Sequence, residues 1–269
     1  MNFPTSQTPP PPMPGQSPMP IMPPEPVGPG LSEPQRLIDT FIAPSKTFTD
    51  LRHNSRWWVA WLVSTIFGVF LAFSITQRVD IVRLAREQIG QIKFVQQQFE
   101  QAPPEKQQEM LQRQTIGLRL GLYATPVIFL LLGLLVAAIM MVVFNFGFAA
   151  EVPFARCLAI IFYSFLPRVI ATLLLCGSLW FGHDPDSINV LQNPLATNPG
   201  FFMDPQGNKF LYGLASGLDI FAIWVCILIG LGFAVNSQRR KLSTGTAIAT
   251  TLAIYGVWVL VSAGLKSVF

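Results

Sequence analysis

The sequence predicts an all-α protein: a polytopic membrane bundle of five transmembrane helices with an extramembrane helical hairpin and a disordered N-terminal tail. Three observations carry this prediction. Only 12% of the 269 residues are charged while 51% are hydrophobic, against roughly 25% charged in soluble domains. The apolar residues gather into five runs, each near the ~20 residues needed to cross about 30 Å of hydrocarbon. Residues 1–34 hold 13 of the 23 prolines, and repeated prolines exclude both helix and sheet.

The tail, 1–34, has neither the basic start nor the apolar core of a signal peptide, so targeting is expected to fall to the first span. Its proline-rich composition suits a solvated arm or a ligand for a proline-binding module. Ser32-Glu33-Pro34-Gln35 then has capping-box spacing with proline in the first turn. Short helices over 35–56 carry Leu37, Ile38, Phe41, Ile42, Phe48 and Leu51, too few to span. They read as an interfacial collar with Lys46, Arg52 and Arg56 toward anionic headgroups.

The first span covers 57–76, with Trp57, Trp58 and Trp61 as interfacial anchors and Arg78 closing it. Over 78–119 an apolar stripe (Ile81, Ala85, Ile89, Ile92, Val95, Phe99) recurs at steps of three and four. It predicts one helix continuing from the span, broken at Ala102-Pro103-Pro104 and returning as a hairpin. The stripe packs on its own return arm or meets a partner. The second span lies within 120–148, the third covers 157–181 with Pro167-Arg168 near its middle, and 182–210 is an irregular loop. The fourth covers 218–235, with a short interfacial helix from Phe210 before it, and the fifth 244–265. Small residues at Gly213/Gly217, Gly230/Gly232 and Ala249/Ala253 let helices approach closely, within one bundle or between copies in a homo-oligomer.

The turn 236–243 carries three basic residues, Arg239, Arg240 and Lys241, and the loop 182–210 carries one. The positive-inside rule places that turn in the cytoplasm, the N-terminus inside and the C-terminus outside an inner membrane. The hairpin, with seven Lys/Arg, argues the other way, although its acidic residues and length weaken its vote.

The net charge is +4, and basic residues sit between apolar runs without interleaved aromatics, which excludes nucleic acid as a partner. Cys157, Cys176 and Cys226 lie in apolar runs without metal-site spacing. His183 with Asp184 and Asp186 is a poor metal set, and no cofactor motif occurs. Three intramembrane polar candidates stand out. Arg168, a mid-span charge, must snorkel, pair with Glu151 or Asp219, or line a polar cavity. Asp219 opens the fourth span, where the helix dipole favours a carboxylate. A single aspartate cannot run the shared-proton chemistry of a carboxylate dyad. The sequence therefore points to a non-enzymatic scaffold or interaction protein, with partners on the tail or the hairpin. The alternative is a small-solute transporter or channel component with a polar path near Arg168.

Leu218-Asp219-Ile220-Phe221-Ala222-Ile223-Trp224, followed by Gly230-Leu231-Gly232-Phe233-Ala234, resembles the bacterial branch of the Yip family, the Ypt/Rab-interacting type of membrane protein. Arg36 to Phe48 is similar to the family's short helix followed by Pro-Ser/Thr-x-x-Phe. Tyr163 to Pro167 resembles its Tyr-x-x-x-Pro feature, and Pro103-Pro104-Glu105 resembles the turn of bacterial hairpins. The resemblance covers about residues 35–265. It implies a five-span domain with a cytoplasmic N-terminus and, in eukaryotic relatives, vesicle-traffic partners including small GTPases. The long hairpin departs from the eukaryotic pattern.

Overall fold

A computed structural model of the chain describes residues 30–182, 193–205, 207–238 and 242–268. The sequence readings for residues 1–29, for His183, Asp184 and Asp186, and for Arg239, Arg240 and Lys241 lie outside them. Among the described residues every regular element is helical. Four helical stretches are long and apolar enough to cross a membrane: α3 (Trp57–Arg78), α7 (Thr125–Phe148), the pair α8 (Phe154–Ser164) with α9 (Pro167–Phe181), and α12 (Thr244–Val268). A fifth forms if α10 (Lys209–Gly217) and α11 (Ile220–Asn236), bent by 51°, count as one span.

The centre of the bundle is α8. Every residue from Cys157 to Pro167 is buried, as a helix apolar on all sides requires. In the third span 56% of the most apolar window is buried, against 22%, 22% and 17% in α3, α7 and α12. Those three therefore offer most of their surface to lipid, with Ile66, Leu131 and Val261 among the exposed side chains. Phe162 shows how α8 is enclosed. It stacks on Trp57 of α3 with centroids 5.6 Å apart and meets Phe129 of α7 edge-on at 5.5 Å. Across from it is Gly133, where an added Cβ would lie 2.4 Å from the ring. Phe144 of α7 stacks on Phe233 of α11 at 4.3 Å.

Beside α8 lie α1 (Glu33–Ile42) and α2 (Pro44–Asp50), with α2 packed chiefly on α11 and α1 touching α8. The expected collar is thus packed on the bundle: Phe48 and Leu51 are wholly buried. Phe48 rests on Gly232, and the Asn236 amide donates to the Phe48 carbonyl at 2.9 Å. Lys46, Arg52 and Arg56 remain exposed. The first of these helices starts at Glu33, inside the expected tail, because Ser32 caps it by accepting from Gln35 N.

Several expected boundaries move, each for a local reason. The second span, expected within 120–148, occupies Thr125–Phe148, and α6 (Pro104–Tyr123) takes up the first residues of that stretch. Pro126 has no N–H for the Leu122 carbonyl, and the Thr125 hydroxyl donates there instead. The third span starts at Phe154 and breaks at Phe165-Leu166, where Pro167 removes a donor. Leu166 N turns to Tyr163 O at 3.2 Å and Arg168 N to Phe165 O at 3.0 Å, both over three residues. Between the second and third spans Ala149 and Glu151 adopt left-handed φ of 52° and 54°. Asn145 braces this turn, donating to Val152 O and accepting from Val152 N, both at 2.9 Å.

The hairpin also departs from one helix out and one back. Asp80 ends the continuation from α3 by capping a new helix, α4 (Ile81–Gln91), accepting from Val82 N and Arg83 N at 2.9 and 3.1 Å. A second break at Ile92 opens α5 (Lys93–Gln101). The α4 part of the stripe, Ile81, Ala85 and Ile89, is buried, and so is Leu84 beside it. It packs on Leu118 and Leu122 of the return arm and on Leu175 and Leu179 of α9. By contrast α5 buries nothing, and Ile92 and Phe94 are 58% and 69% exposed.

At the other side, α12 is lined along its length by the bent pair. Gly230 of α11 faces the backbone of Ile248, while Gly217 and Gly213 of α10 face Val259 and Ala263. Ala249 and Ala253 point outward. The buried face of α12 carries Ala247, Thr251, Val259 and Ala263 instead.

Candidate functional site

Arg168 stands in the second position of α9, and among the described residues it is the one charged residue on the wall of a cavity of ≈ 200 Å³ between α3, α7 and α9. The polar wall is Ser64, Thr65, Thr125 and Thr172; the apolar wall includes Leu71, Phe129 and Val169. Three of the hydroxyls spend their protons on backbone carbonyls: Ser64 on Ala60 O, Thr125 on Leu122 O and Thr172 on Arg168 O. Thr65 Oγ1 is shielded from solvent and has no partner among the described residues.

Neither expected carboxylate pairs with Arg168. Glu151 precedes α8 and Arg168 follows it, so 11 helical residues separate them, about 16 Å. Asp219 is engaged elsewhere. Its Oδ1 accepts from Phe221 N and Ala222 N at 3.0 Å each, capping α11, and its Oδ2 accepts from the Thr197 hydroxyl. Thr197 O in turn accepts from Ile220 N at 3.1 Å. The aspartate therefore ties the bend between α10 and α11 to the loop before them. Tyr255, whose hydroxyl donates to Gly217 O at 2.8 Å, lies within the electrostatic reach of both Asp219 and Arg168.

The remaining motif residues hold helices together. Gly230 and Gly232 are contact points for α12 and for α2 with α8, Phe233 stacks on Phe144, and Trp224 meets Phe41 of α1 edge-on at 6.0 Å. Phe221 is buried and Leu218 is exposed. Of the three tryptophans, Trp58 is half exposed. Trp57 and Trp61 turn into the bundle, and Trp61 Nε1 donates to Pro126 O at 3.4 Å.

A further cluster escaped the sequence reading. Arg36 is 1% exposed. Its Nε donates to Asp50 of α2, and its Nη1 lies 3.2 Å from Glu33 Oε1. Glu33 Oε2 accepts from the Tyr163 hydroxyl of α8 at 3.0 Å, and Asp50 also accepts from Leu31 N. Burial works against the charged guanidinium, but the hydrogen bond to Asp50 and the charges of Glu33 and Asp50 outweigh it, raising its pKa above the ordinary value. The signal available was the clustering of Glu33, Arg36 and Asp50 around helices too short to stand alone.

Among the described residues no three His, Cys, Asp or Glu side chains come close enough to share a metal ion. Cys157, Cys176 and Cys226 are buried free thiols. The structure defines a helical multi-pass membrane protein whose polar side chains cap, brace and latch its helices. The Yip1 domain family model matches residues 38–263, and the chain belongs to that family. Comparison with curated proteins finds no match, and neither does comparison with solved structures.

Proposed function

We propose that the protein is a non-enzymatic scaffold of an inner membrane, holding partner proteins through its hairpin. The observation that carries this reading is the exposure of Ile92, which precedes α5, and of Phe94 on α5, a helix with no buried residue. The neighbouring α4 packs on α6 and shares an apolar cluster with Leu175 and Leu179 of α9, so the exposed face is presented on a packed arm. Outside a membrane, exposed aromatic and β-branched side chains are suited to protein contact. Residues 1–34 supply a second, proline-rich contact of the kind read by aromatic-lined grooves. In this reading the N-terminus is cytoplasmic and the C-terminus outside.

The test is photo-crosslinking in cells from a reactive residue placed at position 94. A discrete crosslinked partner that disappears with Ile92→Asp supports the reading. Crosslinks only to lipid, or a partner indifferent to Ile92→Asp and to deletion of 1–34, would sink it. A second reading, a polar path for a small solute, is favoured by the cavity at Arg168. Cysteines placed at Thr65 and Thr172 would then both react with a membrane-impermeant thiol reagent.

A further inference from the structure

The short helix α1 has two apolar faces, and the protein covers one of them. Leu37 and Phe41 pack on the core of the bundle, and Arg36 and Thr40 beside them are buried. On the other side Ile38 and Ile42, one turn apart, are 58% and 78% exposed. What covers these isoleucines depends on where α1 lies. At its N-terminal end Glu33 accepts from the Tyr163 hydroxyl at 3.0 Å and lies 3.5 Å from Arg56. Phe162, the residue before Tyr163, stacks on Trp57, the first residue of α3. The N-terminal end of α1 is therefore level with the start of the first span. At the other end Phe41 meets Trp224 of α11. Trp224 precedes Asn236, the last residue of that helix, by about 18 Å of helix rise. Thus α1 crosses from α8 to α11 alongside the spans, not beyond their ends. Trp57 and the half-exposed Trp58 mark this level as the membrane interface, and an outward surface here meets lipid.

The polar groups of α1 suit that position. Glu33 pairs with Arg36 and Arg56, Arg36 with Asp50, and Asp39 with Lys46 at 3.3 Å. The Thr40 hydroxyl donates to Arg36 O at 2.8 Å. Each charged side chain of α1 thus has an opposite charge beside it. Exposed pairs of this kind add little to a helix in water. At the edge of a low-dielectric layer they remove unpaired charges that would hold the helix out of it.

We propose that the outward face of α1 is a lipid-binding surface, with Ile38 and Ile42 inserted among the acyl chains of the leaflet at the end of the bundle where α3 begins. The helix lies in the plane of that interface, as an amphipathic helix does, and its inner face is latched to α8 through Glu33 and Tyr163. The occupant is lipid and not a second protein surface, because the isoleucines continue the lipid-facing surface that opens at Trp58. The assignment is independent of the partner contacts of the hairpin.

The experiment uses the full chain reconstituted in phosphatidylcholine vesicles. A fluorescent probe is attached to Ile42→Cys or, as a reference on the exposed hairpin, to Arg113→Cys, the three native thiols being buried. The quenchers are aqueous iodide and a phospholipid carrying a nitroxide on its acyl chain. The probe at position 42 should be quenched by the nitroxide lipid, and by iodide at least about fivefold less than the probe at position 113. Equal iodide quenching at the two positions would place α1 in water and overturn the proposal. Shielding of position 42 from both quenchers would mean that protein, such as a second copy of the chain, covers this face, and would overturn it equally. If the labelled variant does not elute as a folded protein, photolabelling of the unaltered chain by a diazirine on a phospholipid acyl chain decides. Adducts should form on Ile38 or Ile42 as they do on Ile66 of α3, and their absence from α1 alone would overturn the assignment.

Discussion

At the scale of single residues, the polar side chains of the bundle divide by what their environment leaves them to do. Asp219 caps two backbone amides and holds Thr197, so Asp219→Ala should destabilise the protein by about 1 kcal/mol or somewhat more. Asp219→Asn keeps an acceptor oxygen and should cost less. Thermal unfolding in detergent orders the two, and equal losses would mean that the charge, not the cap, matters. Arg36 is different, because its partner Asp50 is itself mostly buried, with 10% of its side chain exposed. Removing the guanidinium strands a carboxylate, so Arg36→Met should cost about 3 kcal/mol and loosen α1 from α8, read as faster proteolysis near residue 36. The role of Asp219 as a helix-opening carboxylate was legible in the sequence, since capping is local. The partnerships of Arg36 were not, because Asp50 and Tyr163 reach it through tertiary packing. The same limit applied to Arg168: its apolar neighbours were visible, but not the cavity made by α3 and α7.

Among elements, apolar runs of span length were legible because lipid imposes a simple length rule. The breaks inside them were harder to place. Pro167 and Pro126 signalled interruptions, but only the hydrogen bonds of Thr125 and Leu166 fix where each helix stops and restarts. Asp80 ended a stripe whose period alone promised continuity, since capping chemistry overrode an amphipathic pattern. The facing of small residues was half legible. The glycines of α10 and α11 do meet α12, whereas Ala249 and Ala253 lie on its opposite face, and one sequence does not show which stripe of an apolar helix is lined by its neighbours. Gly230 is the sharpest case, because an added Cβ would come within 2.5 Å of Ile248 Cα. Gly230→Leu should separate α11 from α12 and cost about 3 kcal/mol or more, measured as a lowered unfolding temperature. By contrast Phe94→Asp on exposed α5 should change that temperature little, within about 0.5 kcal/mol, while abolishing partner contact.

For the whole molecule, the ends of the bundle tell a consistent story. Residues near 52, 150–156 and 235–238 gather at one end: Arg52 donates to Val235 O, Arg156 to Arg52 O, and Gln238 N to Ala150 O. Arg78 donates to Leu179 O and lies over the Trp180 ring, at the far end of the 28-residue third span. The hairpin packs at that far end. This arrangement agrees with placing the hairpin and the turn 236–243 on opposite sides, although their basic residues compete. It depends on the bent pair α10–α11 crossing the membrane, and the lining of α12 along its length by both helices supports that. The direct measurement is topology by reporter fusions after residues 100, 200, 240 and 269. The five-span account predicts that the reporter at 240 alone faces the cytoplasm. Reporters at 200 and 240 on the same side would make the bent pair a re-entrant loop and contradict it.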